Sequence, residues 1–208
     1  METLEGVRVL DLTRLLPGDY CTLLLGDMGA EVIKVEEPEL GDYIRWVPPF
    51  IEGQSVFHLM LNRNKRSMRL NIKTRRGREV FSKLVGRSDV VVEGFRPGVV
   101  KRLGIDYKSV NRVNPSIVYC SMSGYGQDGP YKERAGHDIN YMSYSGVLSL
   151  IGSSNDAPLI PGVQIADLTT AMMAAMAILA ALLARERMET SKAWQLVARW
   201  WLPMLQHL

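Results

Sequence analysis

A chain of 208 residues, 47% of them hydrophobic, has the length for one large domain with a sizeable core, or for two small ones. Its 25 Lys+Arg against 22 Asp+Glu leave a formal net charge of only +3, which gives no argument for a nucleic-acid or membrane partner; any anion site must be local. Cys21 and Cys120 lie far apart in apolar stretches, so two buried reduced thiols are expected rather than a disulfide framework.

The opening METLEGVRVLDL lacks the basic start, apolar middle and small-residue cleavage site of a secretory signal, and a cytoplasmic protein is expected. Residues 7–12 (VRVLDL) read as a short strand and 31–36 (EVIKVE) as a second. Pro17-Gly18 opens a helical stretch between them that runs to Gly29-Ala30. Residues 38–66, with Pro38, Gly41, Pro48, Pro49 and Gly53, read as a long irregular excursion. A strand over 67–72 (SMRLNI), a helix over 74–87 and a nearly all-apolar strand over 89–94 (DVVVEG) follow, the last of the kind buried on both faces of a parallel sheet. Short helices near 97–103 and 107–113 lead into SIVYCSMSGYG at 116–126. Helices are then expected over 138–152 and 167–187, joined by a loop containing Pro158 and Pro161. Strands alternating with helices predict an α/β fold with a doubly wound, mostly parallel sheet, ligands gathering beyond the carboxyl ends of its strands. The uncharged run Leu168 to Ala184 approaches membrane-span length, but it is rich in alanine and methionine and bounded by Asp167 and Arg185. It reads as a helix buried in protein.

The turn after the first strand, TRLLPGDY, has neither G-x-G-x-x-G nor G-x-x-x-x-G-K-[ST], so nicotinamide and P-loop readings lose their main support. Basic residues stand near strand ends: Arg63, Lys65 and Arg66 in NRNKRS, and Arg96 in EGFRPG. Each is either a phosphate contact or a solvated basic turn. His58, His137 and His207 are scattered, and no metal cluster is expected. His137, in RAGHDINY, and Asp167, before the long apolar helix, form a candidate proton-transfer pair. The plainer alternative makes Asp167 an N-cap and His137 a polar group at a helix start.

The ordered segments GVRVLDL, PGDYCTLLLGDMGAEVIKVEEP, NRNKRSMRLNIK, DVVVEGFRPGVVKRLGI, NPSIVYCSMSGYGQDGPY, AGHDINY and ADLTTAMMAAMAILAALLARER together resemble the class III CoA-transferase and α-methylacyl-CoA racemase family. The resemblance runs from about residue 4 to residue 187 and implies a Rossmann-like CoA-binding domain followed by long helices. AGHDINY is similar to the racemase branch, where the histidine and an aspartate thirty residues on form the acid/base pair. That implies inversion at the α-carbon of a 2-methylacyl-CoA by His137 and Asp167. In the transferase branch the same aspartate is the nucleophile, and residues 41–61 are more similar to that branch. The resemblance places CoA or substrate against Leu70, Asn71, Ile72, Lys73, Gly94, Phe95, Arg96, Arg102, Gly136, Asp138, Ile139, Asn140 and Tyr141. Racemases of this type commonly carry arginine where Glu37 stands, and Lys34 is expected to substitute for it. No metal and no cofactor beyond the coenzyme A of the substrate is implied, nor a nucleic-acid or membrane partner. An interlocked homodimer is expected of the full-length protein.

Family members continue past the equivalent of Arg187 with a second small domain. Here 188–208 diverge and hold Trp194, Trp200 and Trp201, which suits a shifted reading frame or a misassigned gene end. A CoA-binding or dimerisation fragment without activity is therefore a third reading.

Overall fold

The computed structural model describes residues 3–187, together with the backbone of Trp194–Arg199. In chain order the elements are β1 (Arg8–Leu12), α1 (Leu15–Asp27), β2 (Glu31–Glu36), a 3-10 turn (Tyr43–Trp46), the small hairpin β3 (Phe50–Ile51) and β4 (Gln54–Ser55), α2 (Val56–Leu61) and β5 (Lys65–Arg69). They continue with α3 (Arg75–Val85), β6 (Val90–Glu93), α4 (Val99–Leu103), α5 (Tyr107–Val113), β7 (Val118–Ser123), α6 (Asp138–Tyr144), a second 3-10 turn (Val147–Leu150), α7 (Ile165–Arg187) and β8 (Trp194–Arg199).

Six strands form one parallel sheet in the order β5-β2-β1-β6-β7-β8. The chain winds outward from β1 through β2 to β5, returns to the other side of β1 at β6, and winds outward again. This is the doubly wound order, and it puts a topological switch point between β1 and β6.

Alternation along the strands sorts the core into two layers. Val9, Val32, Val90, Val92, Val118 and Cys120 face Cys21 and Leu25 of α1 and Ala171, Ala174, Ala175 and Ile178 of α7. Leu10, Leu12, Val35, Val91 and Tyr119 face Phe81 and Val85 of α3 and Val110 of α5. Strand β6 is buried on both sides, as its unbroken apolar run predicts. The two cysteines are free and buried in the first layer.

Helix α7 has the length and hydropathy of a membrane span. In the structure, however, its alanines pack into the sheet core, and Arg185 binds Asp89 at 2.9 Å and the Ser116 carbonyl at 3.2 Å at the far edge of the strands. Helix α1 begins two residues before the proline that signals it, since Pro17 is tolerated in a first turn. Gly18 there is a close-approach glycine: a Cβ would overlap the Thr13 side chain.

Two sequence expectations shift. The third sheet strand is Lys65–Arg69 rather than 67–72, so residues 70–73 form the turn beyond its carboxyl end. The excursion over 38–66 is not featureless; it holds the first 3-10 turn, the hairpin and α2. Of the expected divergent tail, only the backbone of Trp194–Arg199 is described, and it pairs with β7 in parallel register. The rest of that expectation lies outside the described residues.

Candidate active site

The site begins at the switch point. The turn after β1 is held by Asp11, whose Oδ1 accepts the Thr13 N–H at 2.9 Å and its hydroxyl at 2.5 Å. The turn after β6 is held by Glu93, whose Oε2 accepts the Phe95 N–H at 2.9 Å. Glu93 is buried; burial raises its pKa to about 7, against the lowering effect of Ser121 and the Phe95 amide.

Two adjoining cavities open over these turns, and both are lined by Thr13, Arg14, Phe95 and Val99. The first, about 660 Å³, continues over Leu70, Asn71, Ile72, Lys73 and Arg102. The second, about 440 Å³, continues over Gly94, Arg96, Lys132, Arg134, Gly136, His137 and Tyr141. Most of the residues that the sequence puts against CoA or substrate therefore line one continuous crevice, at the place where doubly wound sheets bind ligands.

The 136–141 segment divides by role. Gly136 and Tyr141 fit together closely: the Tyr141 hydroxyl donates to the Gly136 carbonyl at 2.6 Å, and a Cβ on Gly136 would come within 2.8 Å of the Tyr141 ring. Asn140 stabilises the start of α6, its Oδ1 accepting the His137 N–H at 2.9 Å. Ile139, whose carbonyl accepts the Ser143 hydroxyl at 2.7 Å, lines neither cavity. Asp138 also lies outside both linings; its Oδ1 accepts the backbone N–H of Asp167 at 3.0 Å.

Asp167 sits inside the first turn of α7, which starts at Ile165, so it is not the N-cap that the plainer sequence reading makes it. Its Oδ1 is buried without a hydrogen-bond partner among the described residues. A helix N-terminus favours an ionised carboxylate, yet burial, aided by the charge of Asp138, raises this carboxyl to about 7. Asp167 is not itself among the lining of the second cavity; the link to that wall is Asp138, which holds the Asp167 backbone and follows the lining residue His137 in sequence. His137 is exposed, and no hydrogen bond or ion pair joins it to Asp167 among the described residues.

Lys34 requires a correction. It is 1% exposed and lines neither cavity. Its ammonium pairs with Asp19, lies 2.8 Å from Asp42 and 3.8 Å from Asp11, and donates to the Thr13 carbonyl at 3.1 Å. Burial works against its charge, but the three carboxylates outweigh burial and push its pKa up. A lysine so committed fixes the turn beneath the crevice and has no donor to offer a nucleotide.

Lys65 belongs to the same buried group, 3.4 Å from Asp11. Arg63 pairs with Asp27, and Arg66 pairs with Glu31 at 2.9 Å at the amino end of the strands. Of the two roles the sequence left open for these three, phosphate contact does not hold: they stand at the amino end of β5, whose ligand-facing end lies beyond Arg69, and each is paired with a carboxylate. Glu37, where an arginine was looked for, lines the first cavity and accepts the amides of Leu40 and Glu39 at 2.8 and 3.1 Å.

Arg14, Tyr43, Lys132 and Arg134 were not singled out from the sequence, although all four line the second cavity. For Arg14 the signal was available, since it follows the first strand at a switch point. For Lys132 and Arg134 it was not, because they lie outside any regular element.

The family model described as CoA-transferase family III matches residues 4–196. The chain belongs to that family. It is 46% identical over 188 residues, 90% of this chain and 43% of the relative, to a succinyl-CoA:glutarate CoA-transferase of Mus musculus. It is 42% identical over 186 residues, 89% of this chain and 45% of the relative, to a formyl-CoA:oxalate CoA-transferase of Streptomyces avermitilis. A crystal structure of a CAIB/BAIF family protein from Brucella suis superposes with a TM-score of 0.87 at 40% identity, covering 93% of this chain and 52% of that one. The chain thus spans about half the length of these relatives. The curated relatives carry transferase names, and the racemase expectation draws no support from them.

Proposed function

We propose that this chain is the CoA-binding part of a class III CoA-transferase, in which Asp167 is the nucleophile. The observation that carries the reading is the state of Asp167: a carboxyl with one buried oxygen unpartnered among the described residues, raised to about 7, on a residue whose backbone N–H is held by Asp138, the neighbour in sequence of the crevice residue His137. Such a group is more basic than an exposed aspartate and still substantially ionised at neutral pH, which suits a nucleophile. The transferase names of the relatives support the same choice.

The chemistry uses the chain's own carboxylate. Asp167 attacks the thioester carbonyl of an acyl-CoA and expels the CoA thiolate, leaving an acyl-aspartyl anhydride. The thiolate then attacks the aspartyl carbonyl and releases the donor acid, giving an aspartyl-CoA thioester. The acceptor carboxylate attacks that thioester, forms a second anhydride and expels CoA thiolate again. Attack of the thiolate on the acceptor's acyl carbon yields the new acyl-CoA and regenerates Asp167. The nucleotide lies in the first cavity against Leu70–Lys73 and Arg102, and the thioester end reaches the second past Phe95 and Arg96.

The test incubates the full-length protein with a 2-methylacyl-CoA in deuterated water, with and without an added carboxylic acid. CoA passing to the added acid without α-deuteration is the expected result. Exchange at the α-carbon in the absence of any acid would restore the acid/base role of His137 and Asp167.

A further inference from the structure

The excursion between β2 and β5 does more than link two strands. Its residues Asp42 and Tyr43 reach the turn after β1 and hold the two residues that follow Thr13 there. Asp42 Oδ1 accepts the Leu15 N–H at 3.1 Å and the Ile44 N–H at 3.0 Å, and its other oxygen lies 2.8 Å from the Lys34 ammonium. The Tyr43 hydroxyl accepts an N–H of the Arg14 guanidinium at 2.9 Å. That guanidinium lies 4.9 Å from the Tyr43 ring centroid and 5.7 Å from that of Phe95.

The turn needs such support. Leu15 has a φ of 64°, in the left-handed region that a leucine occupies only where its surroundings dictate it. The Arg14 side chain, at the N-cap of α1, makes no capping hydrogen bond, so the Leu15 amide is satisfied by a carboxylate from the excursion. The Leu15 side chain joins Ile44, Leu23 and Leu61 in a small apolar cluster that seats the excursion on α1. Asp42 is itself fixed. It is buried, its N–H donates to Glu36 Oε2 at 2.9 Å, and Arg45 grips both oxygens of Glu36 at 2.6 and 2.7 Å. The preceding Gly41 has a φ of 69°, and a Cβ there would come within 2.7 Å of the same Glu36 oxygen, so only glycine allows this approach. At the far end of the excursion, Asn62 donates at 3.0 Å to Asp19, the carboxylate that pairs with Lys34. Both ends of the excursion are thus tied to the buried ionic group beneath the crevice.

What this arrangement fixes is Arg14, which lines both cavities and so stands where they meet. Tyr43 is neutral and directs the guanidinium without cancelling its charge. We infer that Asp42 and Tyr43 are positioning residues. Asp42 sets the backbone at Arg14 and Leu15, Tyr43 sets the guanidinium, and together they aim a fixed positive charge at acyl-CoA where it passes from the first cavity to the second. The inference rests on the CoA-binding part of the reading above and is independent of whether Asp167 is the nucleophile.

The test is a double-mutant cycle in the full-length protein. The dissociation constant for free CoA is measured by titration calorimetry where circular dichroism shows each variant folded. Arg14→Gln is expected to weaken CoA by ~10-fold, the order of one charge-assisted hydrogen bond. Tyr43→Phe and Asp42→Ala are each expected to weaken it by ~3- to 10-fold alone and to add nothing in the Arg14→Gln background, because both act through the guanidinium. A merely structural role would give losses that persist unchanged in that background. Should Asp42→Ala not fold, Asp42→Asn replaces it, and Tyr43→Phe, at a residue 47% exposed, keeps the cycle readable. Additive losses, or unaltered affinity in the Asp42 and Tyr43 variants, overturn the inference, as does wild-type affinity in Arg14→Gln. CoA transfer to an acid, assayed on the same samples, reports separately on Asp167. A wild-type protein that binds no CoA fails the CoA-binding reading itself and takes this inference with it.

Discussion

The carboxylate of Asp138 accepts the backbone N–H of Asp167 at 3.0 Å, and its negative charge, after burial, helps hold the Asp167 carboxyl near 7. One side chain therefore both fixes the start of α7 and adjusts the group on which the proposed chemistry depends. Asp138→Asn separates the two effects, since an amide oxygen still accepts the N–H but carries no charge. Transfer requires ionised Asp167, so the wild-type rate should rise with pH through about 7. In Asp138→Asn this acidic limb is expected to move to lower pH. A pH–rate profile of the full-length variant checks it; an unmoved limb would show that Asp138 acts through the backbone alone.

Glu93 gives a stability prediction. Its folded-state pKa of about 7 lies above the ordinary glutamate value, so the folded protein binds more protons than the unfolded chain in between. The stability associated with this group is complete at low pH and is lost as pH rises through about 7. The loss is on the order of 3 kcal/mol for a group this buried. Glu93→Gln keeps an acceptor for the Phe95 amide and removes the titration. Denaturant unfolding at pH 5 and pH 8 should therefore show the variant gaining on wild type as pH rises. A pH-independent difference would contradict this.

For Lys34 the structure forecasts a folding defect and not a binding defect. Lys34→Ala leaves Asp11, Asp19 and Asp42 buried with only Lys65 to balance them. Removing one partner from a buried ionic group costs about 3–5 kcal/mol. Unfolding midpoints measure it. Wild-type stability with weakened CoA affinity would return Lys34 to the role that the resemblance suggested.

Arg102 lines only the first cavity, where the nucleotide is assigned. Arg102→Gln is expected to raise the KM for acyl-CoA by ~10- to 100-fold and to reduce its salt dependence, with kcat changed much less, because a phosphate contact persists from ground state to transition state. Titration calorimetry with free CoA gives an independent reading, and unchanged affinity would move the phosphates elsewhere.

The doubly wound sheet was legible because its carriers are local. VRVLDL, EVIKVE and DVVVEG alternate or run apolar over strand-length windows, and Gly and Pro punctuate the helices between them. Lys34 was misplaced because EVIKVE carries no sign of the three carboxylates, from β1, α1 and the following turn, that surround its ammonium. Arg63, Lys65 and Arg66 precede or open the strand in either boundary, at the amino end of a parallel sheet; what was not legible is the set of carboxylates that occupy them, Asp27, Asp11 and Glu31, which come from other segments. Asp167 was picked out with a cap as its alternative, and two residues decided the point: Ile165 and Ala166 already belong to α7, so Asp167 is inside the first turn and not at the cap. The cations of the second cavity were hidden for a different reason. Arg14 and Arg134 come from segments 120 residues apart, and only the fold brings them to one cavity.

The central claim is that Asp167 becomes covalently attached to CoA during turnover, and hydroxylamine trapping tests it most directly. The full-length protein is incubated with an acyl-CoA, treated with hydroxylamine, digested and analysed by peptide mass spectrometry. The account predicts a hydroxamate on the peptide containing Asp167, dependent on acyl-CoA and absent from Asp167→Asn. An unmodified Asp167 in an enzyme that still turns over acyl-CoA would contradict it.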